Sequence, residues 1–111
     1  MCIFCKIVNG EIPSNKVYED EKYLAFNDIN PKAPVHILII PKQHIAYLAD
    51  LDDTTKHIMG DMTLIANKIA KKLGIDKTGY SILINNGPDS GQEVFHIHMH
   101  LLGGKKMAFT V

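Results

Sequence analysis

Apolar positions recur along the chain with two different spacings, and the spacing predicts which segments are helical. Residues 52–73 carry one apolar stripe at intervals of three and four, which is typical of an amphipathic helix. Asp52 and Asp53 suit the N-terminal end of this helix, and Gly74 suits its terminator. The stripe consists of Ile58, Met62, Ile65, Ala66, Ile69 and Leu73.

Short runs of β-branched and aromatic residues predict about five strands. The first two, Lys16–Glu19 and Tyr23–Asn27, flank the charged turn "DEK" and form a predicted hairpin. The others are "VHILII" from position 35, "YSILIN" from position 80 and "FHIHMHLL" from position 95. A short helix is expected before Gly10. The predicted fold is α+β: an antiparallel sheet with one long helix packed on one face and a short N-terminal helix.

Composition narrows the class of protein. The chain has 111 residues, of which 46% are hydrophobic and 22% charged, as expected for one globular domain. Twelve basic and twelve acidic side chains balance, so nucleic-acid or membrane binding through a charged face is not expected. No apolar run reaches the roughly 18–20 residues that span a bilayer, and the first ten residues lack a secretory-signal pattern, so a cytoplasmic protein is expected.

Three of the six histidines stand at alternate positions, 96, 98 and 100. On a strand they would project from one face at steps of roughly 6–7 Å, with Ile97 and Met99 facing the core. A solvated strand face would more often mix Thr, Lys and Glu than repeat histidine. The spacing therefore favours either metal ligation or histidine chemistry, with one ring as nucleophile, and does not separate the two.

The motif "HIHMHLL" resembles the histidine triad signature, in which three histidines alternate with apolar residues, so the chain is similar to the HIT superfamily of nucleotide hydrolases and transferases. The resemblance covers nearly the whole chain. The segment from Cys2 to Ile45 resembles the N-terminal half of the Hint branch, and "INNGPDSGQEVFHIHMHLLGG" resembles its active-site half. A single HIT domain over residues 1–111 is implied.

The resemblance implies different roles for the histidines. His98 matches the residue that attacks the α-phosphorus of a nucleotide phosphoramidate or related ester and forms a covalent nucleotidyl-histidine. His100 matches a residue that contacts the phosphate. His36 matches a fourth histidine that supports the three catalytic histidines of the motif, and His96 is the first of those three. A neutral imidazole is a good nucleophile near neutral pH, which agrees with these roles.

The loop before the triad is rich in glycine. Gly87 and Gly91 allow backbone amides to approach a phosphate, although isolated glycines in a turn between strands would need no such role. The resemblance implies that Asn85 and Gln92 hold phosphate or the catalytic water. Glu93 stands where Hint proteins often carry a serine that contacts the phosphate or leaving group, and a carboxylate there would repel a phosphate unless it were protonated or turned away.

The segment "LAFNDINP" resembles the nucleoside-binding segment of the family. Asp28 matches the acid that binds the ribose hydroxyls, and Phe26 and Ile29, together with Phe4, would form the slot for the base. Considered alone, Phe26 is typical of core packing and Asp28 of a turn acid.

Cys2 and Cys5 are the only cysteines, and in a reducing compartment their spacing favours a metal or redox element over a disulfide. Resemblance to zinc-containing family members and to galactose-1-phosphate uridylyltransferases implies that His44 and His96 complete a zinc site. Four protein ligands would make that zinc structural. The alternatives to zinc are a pair of packed, reduced cysteines and a redox pair. His57, the remaining histidine, is expected on the surface of the helix.

The function implied is hydrolysis of purine nucleoside phosphoramidates or related nucleotide esters, with no metal in the chemistry. A homodimer is also implied, in which two sheets join into one of ten strands and the long helices pack together. The alternatives are a dinucleoside polyphosphate hydrolase, a nucleotide-binding regulatory module with incidental turnover, and a zinc-binding protein without activity. The tail "KKMAFTV" is expected to influence specificity.

Overall fold

The computed structural model describes residues 2–108, which form one antiparallel sheet with a helix on each of its two faces. This confirms the predicted α+β fold. Two short 3₁₀ turns, Leu48–Asp50 and Pro88–Ser90, lie in the connections. The regular elements are α1 (Ile3–Val8), β1 (Lys16–Glu19), β2 (Tyr23–Asn27), β3 (Val35–Pro41), α2 (His57–Leu73), β4 (Tyr80–Ile84) and β5 (Met99–Gly103).

The five strands are ordered β1-β2-β3-β5-β4, so β3 and β5 are inner strands and β1 and β4 are edges. All four pairings are antiparallel. The register of β3 against β5 places His36 opposite Leu102 and Leu38 opposite His100. The two histidines are therefore close neighbours on the same face of the sheet, although they are 64 residues apart in the chain.

Each face of the sheet has its own apolar cluster, because alternate side chains of the inner strands point in opposite directions. On one face, Ile37, Ile39 and Leu101 pack against the apolar stripe of α2. On the other face, Leu38 and Ile40 pack against Phe4 and Ile7 of α1, together with Leu24 and Phe26. The strands are therefore hydrophobic on both sides, which explains the unbroken apolar run "VHILII".

The long helix is confirmed, but it begins at His57 rather than at the predicted Asp52. Side chains of residues 52–55 bond to nearby backbone and to each other: Asp52 accepts hydrogen bonds from the backbone and hydroxyl of Thr54, and Thr55 Oγ accepts from the Asp52 amide. These local bonds hold a turn that competes with helical geometry. The C-terminal prediction is correct, since Gly74 has a left-handed φ of 78° and ends the helix.

The last strand begins at Met99, four residues later than predicted from position 95. The Ile97 amide donates to the carbonyl of Ile45, in the loop after β3, and the carbonyl of Pro41 at the end of β3 bonds to the ring of His96. These contacts replace the strand ladder before Met99. His96 and His98 therefore lie on irregular chain, and the prediction that one strand carries all three histidines is wrong.

The alternation of faces nevertheless continues through this irregular segment. Ile97, Met99 and Leu101 all belong to the cluster beneath α2. His98 and His100 lie on the opposite face. Within residues 2–108, none of the helices combines the length and the apolar character that crossing a bilayer requires.

Candidate functional site

An open cleft of about 720 Å³ lies on the sheet face that carries α1. Its wall is built by α1, the segment after β2, the loop before the triad and side chains on one face of the inner strands β3 and β5. All the residues predicted to bind substrate line it except Gln92. The predicted residues in its lining are Phe4, Phe26, Asp28, Ile29, His36, Asn85, Gly91, Glu93, His98 and His100.

His98 presents one ring nitrogen to the cleft. Its Nδ1–H donates to the backbone carbonyl of His96 over 2.8 Å, and since a carbonyl can only accept, Nδ1 must carry the proton. In the neutral ring, Nε2 then holds the lone pair. The ring of Phe4 packs edge-on against His98 with the ring centres 5.1 Å apart, and only 7% of His98 is exposed. The chain therefore holds a buried, oriented imidazole with a free nucleophilic nitrogen.

His36 and His100, which we call the relay pair, are joined by a directed series of hydrogen bonds. The backbone amide of Lys32 donates to His36 Nδ1 over 3.0 Å, so the proton of a neutral His36 ring is on Nε2. His36 Nε2 lies 2.9 Å from His100 Nδ1 and donates to it. His100 therefore carries its own proton on Nε2, as a donor for an oxygen in the cleft.

Burial keeps both rings of the relay pair neutral. It lowers the pKa of His100 to about 4, with smaller contributions in the same direction from His98 and His36. Burial also lowers the pKa of His36, while the Asp28 carboxylate opposes that shift. Asp28 Oδ2 is 3.4 Å from His36 Nε2, and its Oδ1 accepts the Asn30 amide proton over 2.8 Å. At neutral pH the pair therefore offers hydrogen bonds rather than positive charge.

The loop before the triad is held by Gln92, which the structure places in the protein interior and not in the cleft. Its Oε1 accepts from the Gly87 amide over 2.7 Å, and its Nε2 donates to the carbonyls of Ala46 and Val94 over 2.8 and 3.1 Å. These bonds occupy the whole side-chain amide. Asn85 does line the cleft, and its Nδ2 donates to the Ser90 carbonyl over 2.7 Å.

Part of the cleft is apolar. Phe4 and Phe26 meet edge to face with ring centres 5.6 Å apart, and both are buried. Ile29, in contrast, is 91% exposed at the rim, although it is a large hydrophobic residue. Phe4, Phe26 and Ile29 give the cleft an apolar part of the kind into which a flat ring packs.

The second group of chemical interest is the metal cluster, which consists of Cys2, Cys5, His44 and His96. Its sulfur–nitrogen distances are 3.4, 3.3 and 3.7 Å, and the Nδ1 atoms of the two histidines are 3.2 Å apart. A tetrahedral zinc ion with ordinary bond lengths separates a sulfur and a nitrogen ligand by about 3.6 Å and two nitrogens by about 3.3 Å. The donor set and its spacing therefore fit zinc.

The protonation of His96 agrees with a ligand role. Its Nε2–H donates to the carbonyl of Pro41 over 2.7 Å, which leaves Nδ1 without a proton and aimed into the metal cluster. His96 is fully buried, and burial lowers its pKa, so the ring stays neutral. His44 is exposed, and the two cysteines are half-buried free thiols. His57 is exposed on α2, as predicted.

Two features of the cleft were missed by the sequence reasoning. The Lys32 backbone amide fixes the tautomers of the relay pair. No pattern of side chains in the sequence indicates that a main-chain donor lies at this place. Ser14 lines the cleft, and its Oγ is buried without a hydrogen-bond partner among the described residues. Ser14 lies between predicted elements, where serine is ordinary, so nothing in the pattern marked it.

Comparisons with known proteins give one consistent result. A model of the HIT domain family matches residues 9–107. A relative from Zea mays, described as a 14 kDa zinc-binding protein, is 51% identical over 107 residues, covering 95% of this chain and 83% of the relative. The crystal structure of a HIT family hydrolase from Legionella pneumophila superposes with a TM-score of 0.95 at 47% identity, covering 98% and 97% of the two chains.

A histidine triad nucleotide-binding protein from Candida albicans is also similar. Its structure superposes with a TM-score of 0.82 at 39% identity, covering all of this chain and 86% of the other.

Proposed function

Because the chain belongs to the HIT domain family, we propose that it is a nucleotide-binding hydrolase that cleaves purine nucleoside phosphoramidates or related nucleotide esters at the α-phosphorus. The observation that carries this proposal is the orientation of His98. Its Nδ1–H is fixed on the His96 carbonyl, and its Nε2 has no hydrogen-bond partner among residues 2–108. A neutral imidazole with one free nitrogen, held in place before substrate arrives, suits nucleophilic attack.

The proposed reaction proceeds in two steps. His98 Nε2 attacks phosphorus, the bond from phosphorus to the leaving nitrogen breaks, and the leaving group departs as an amine after taking a proton from water. Water then attacks the nucleotidyl-histidine, the bond from phosphorus to Nε2 breaks, and the water proton returns to solvent. The positive charge on the His98 ring in the intermediate is stabilised by the His96 carbonyl that accepts its Nδ1–H.

The relay pair supports this chemistry by donation. His100 Nε2–H is a hydrogen-bond donor for a phosphoryl oxygen, and its pKa of about 4 makes it neutral near pH 7, so it is not a proton source. His36 acts through His100 by fixing its tautomer. Asn85 and Gly91 also line the cleft, and the Asn85 side chain and the amides around Gly91 are further donors for phosphate, while Gln92 positions their loop from inside.

The nucleoside occupies the apolar part of the cleft in this proposal. Phe4, Phe26 and Ile29 enclose the base. Asp28 Oδ2 lies at the edge of the same cleft and is an acceptor for the ribose hydroxyls. The similarity to a histidine triad nucleotide-binding protein supports a nucleotide as the ligand.

Zinc would be held by Cys2, Cys5, His44 and His96, and the similarity to a zinc-binding protein supports this. Four protein ligands leave no open position, so the ion would be structural and would supply no chemistry at phosphorus. It would join α1 to the segment before β5, and α1 carries the Phe4 ring that packs against His98.

A homodimer is the assembly we propose. Strand β4 is an edge of the sheet, and two of its apolar side chains, Ile82 and Leu83, are each 39% exposed. An uncovered edge strand with exposed apolar residues is unfavourable for a monomer. Pairing of β4 with its copy would join two sheets of five strands into one of ten.

The test uses an adenosine 5′-phosphoramidate whose amine leaving group becomes fluorescent on release. Wild type should turn it over, and His98→Ala should lose at least about a thousandfold in kcat/KM because no other group replaces a covalent nucleophile. His57→Ala, an exposed histidine on α2, is the matched control and should retain wild-type activity. Equal turnover by wild type and His98→Ala would disprove the mechanism.

A further inference from the structure

Glu93 is a charged residue of the cleft whose carboxylate has no partner among residues 2–108. It is exposed, it lines the cleft, and it takes part in no ion pair or side-chain hydrogen bond within that range. The other carboxylate of the cleft, Asp28, is engaged by the Asn30 amide and by the relay pair. The one lysine of the cleft, Lys32, reaches the Asn30 carbonyl over 3.3 Å, next to Asp28.

The residues on both sides of Glu93 are held by hydrogen bonding and packing, so the point on the cleft wall from which its side chain extends is defined. Gln92 is buried, and its Nε2 donates to the carbonyl of Val94, which bridges across Glu93. Val94 itself packs against the apolar cluster that contains Phe4 and Leu24. The carboxylate therefore extends from a fixed point of the cleft wall.

Glu93 belongs to a different segment of the cleft wall from the residues assigned to the nucleoside. Phe26, Asp28 and Ile29 come from the segment that ends β2, whereas Asn85, Gly91 and Glu93 come from the loop before the triad. The proposed function assigns Asn85 and the amides around Gly91 to the phosphate, so the leaving group, which is bonded to phosphorus, is placed near the same loop. Glu93 then contributes a negative charge where the leaving group departs.

We propose that Glu93 selects the leaving group by charge, so that the enzyme prefers amines with an additional positive charge and rejects anionic leaving groups. This inference rests on the proposed function. A carboxylate attracts a protonated amine tail and repels a carboxylate or a polyphosphate, and in an open cleft each effect is modest because water screens it. Dinucleoside polyphosphates, whose leaving groups are anionic, are consequently disfavoured substrates.

Three adenosine 5′-phosphoramidates of nearly equal size test the inference. Their leaving amines are 1,3-diaminopropane, butylamine and β-alanine, whose tails are cationic, neutral and anionic near pH 7. The ratio of kcat/KM for the cationic over the anionic substrate should be about tenfold larger in wild type than in Glu93→Gln, since reversing a unit charge beside an exposed carboxylate gives an effect of this order. Comparing ratios between variants cancels the intrinsic reactivity of each amine.

Glu93→Lys should reverse the preference, and Glu21→Gln, an exposed acid on the turn between β1 and β2, should leave it as in wild type. Added salt should reduce the wild-type preference. Equal ratios in wild type and Glu93→Gln, with the butylamine substrate still turned over, would overturn the inference and leave the proposed function intact. Failure of wild type to turn over any of the three would overturn both.

Discussion

The metal cluster and the relay pair with Asp28 each bring potential metal ligands within 4.8 Å of one another, yet their hydrogen bonds give them opposite characters. In the metal cluster, His96 donates its Nε2–H outward to Pro41, so Nδ1 faces the thiols without a proton. In the relay pair, Lys32 donates to His36 Nδ1, so the proton of His36 lies between the two rings. The partner of the second ring nitrogen therefore distinguishes a metal ligand from a hydrogen-bond donor.

The largest effect expected from this contrast concerns zinc. Cys5→Ser should reduce the zinc content from one ion per chain to nearly none, and the free energy of unfolding should fall by about 4 kcal/mol, the contribution of a ligand present at a thousand times its Kd. Elemental analysis and chemical denaturation measure the two quantities. His36→Gln and His100→Gln are the matched controls, and each should retain one zinc ion per chain. Loss of zinc from either variant would contradict the distinction between the metal cluster and the relay pair.

The next effect is the pH dependence of stability. The pKa of His100 is lowered to about 4 in the folded protein, so below its ordinary value the unfolded chain binds more protons than the folded one. Stability should therefore fall as the pH drops from about 6.5 to about 4, by roughly 3 kcal/mol for this residue. Denaturant unfolding at several pH values, under conditions that keep the metal content constant, measures the slope.

His100→Gln should make that slope shallower, while His57→Gln should not change it. The lowered pKa of His36 acts in the same direction, so some slope should remain in the His100 variant. An unchanged slope in His100→Gln would show that the ring is not held neutral by burial.

A smaller effect is expected on activity when the relay is broken. His36→Phe keeps a ring but removes both nitrogens, so His100 loses the partner that fixes its tautomer. We expect kcat/KM to fall by about 10- to 100-fold, as for removal of other groups that orient an active-site imidazole. Nitrogen NMR of His100 should show a mixture of tautomers in the variant and a single Nε2–H form in wild type. A single Nε2–H form in the variant would contradict the relay.

The smallest effect is expected at the sixth histidine. His57 belongs to neither group and is exposed on α2, so His57→Gln should change the free energy of unfolding by less than about 0.5 kcal/mol. Zinc content and turnover should equal those of wild type. A larger change would mean that a histidine outside both groups contributes to one of them.

The fold could be predicted largely from periodicity, because the apolar residues of strands and helix follow their own periods. Ile97, Met99 and Leu101 point to one side, as their alternation predicted, and the helix ends at Gly74. The boundaries at Asp52 and Phe95 could not be predicted in this way. At Asp52, local side-chain bonds to Thr54 and Thr55 displace the first helical turn. Near Phe95, the bonds that displace the strand come from Pro41 and Ile45, which are distant in the sequence.

The sequence predicted which residues meet at the candidate site, but it did not predict the hydrogen bonds that orient them. The residues expected around the triad line one cleft, except for Gln92, and Cys2, Cys5, His44 and His96 converge on a second point. The tautomers of the histidines, however, depend on backbone groups of Lys32, Pro41 and His96 itself. A sequence pattern contains no information about which main-chain groups meet a ring, so these features appear only in three dimensions.

His96 contributes to the two regions through different parts of the same residue. Its side chain belongs to the metal cluster, whereas only its main-chain carbonyl holds His98, and every amino acid has such a carbonyl. Position 96 can therefore exchange its side chain during evolution or protein design without removing the group that orients the nucleophile. A substitution at position 96 therefore alters the proposed metal site directly and reaches His98 only through α1 and its Phe4 ring.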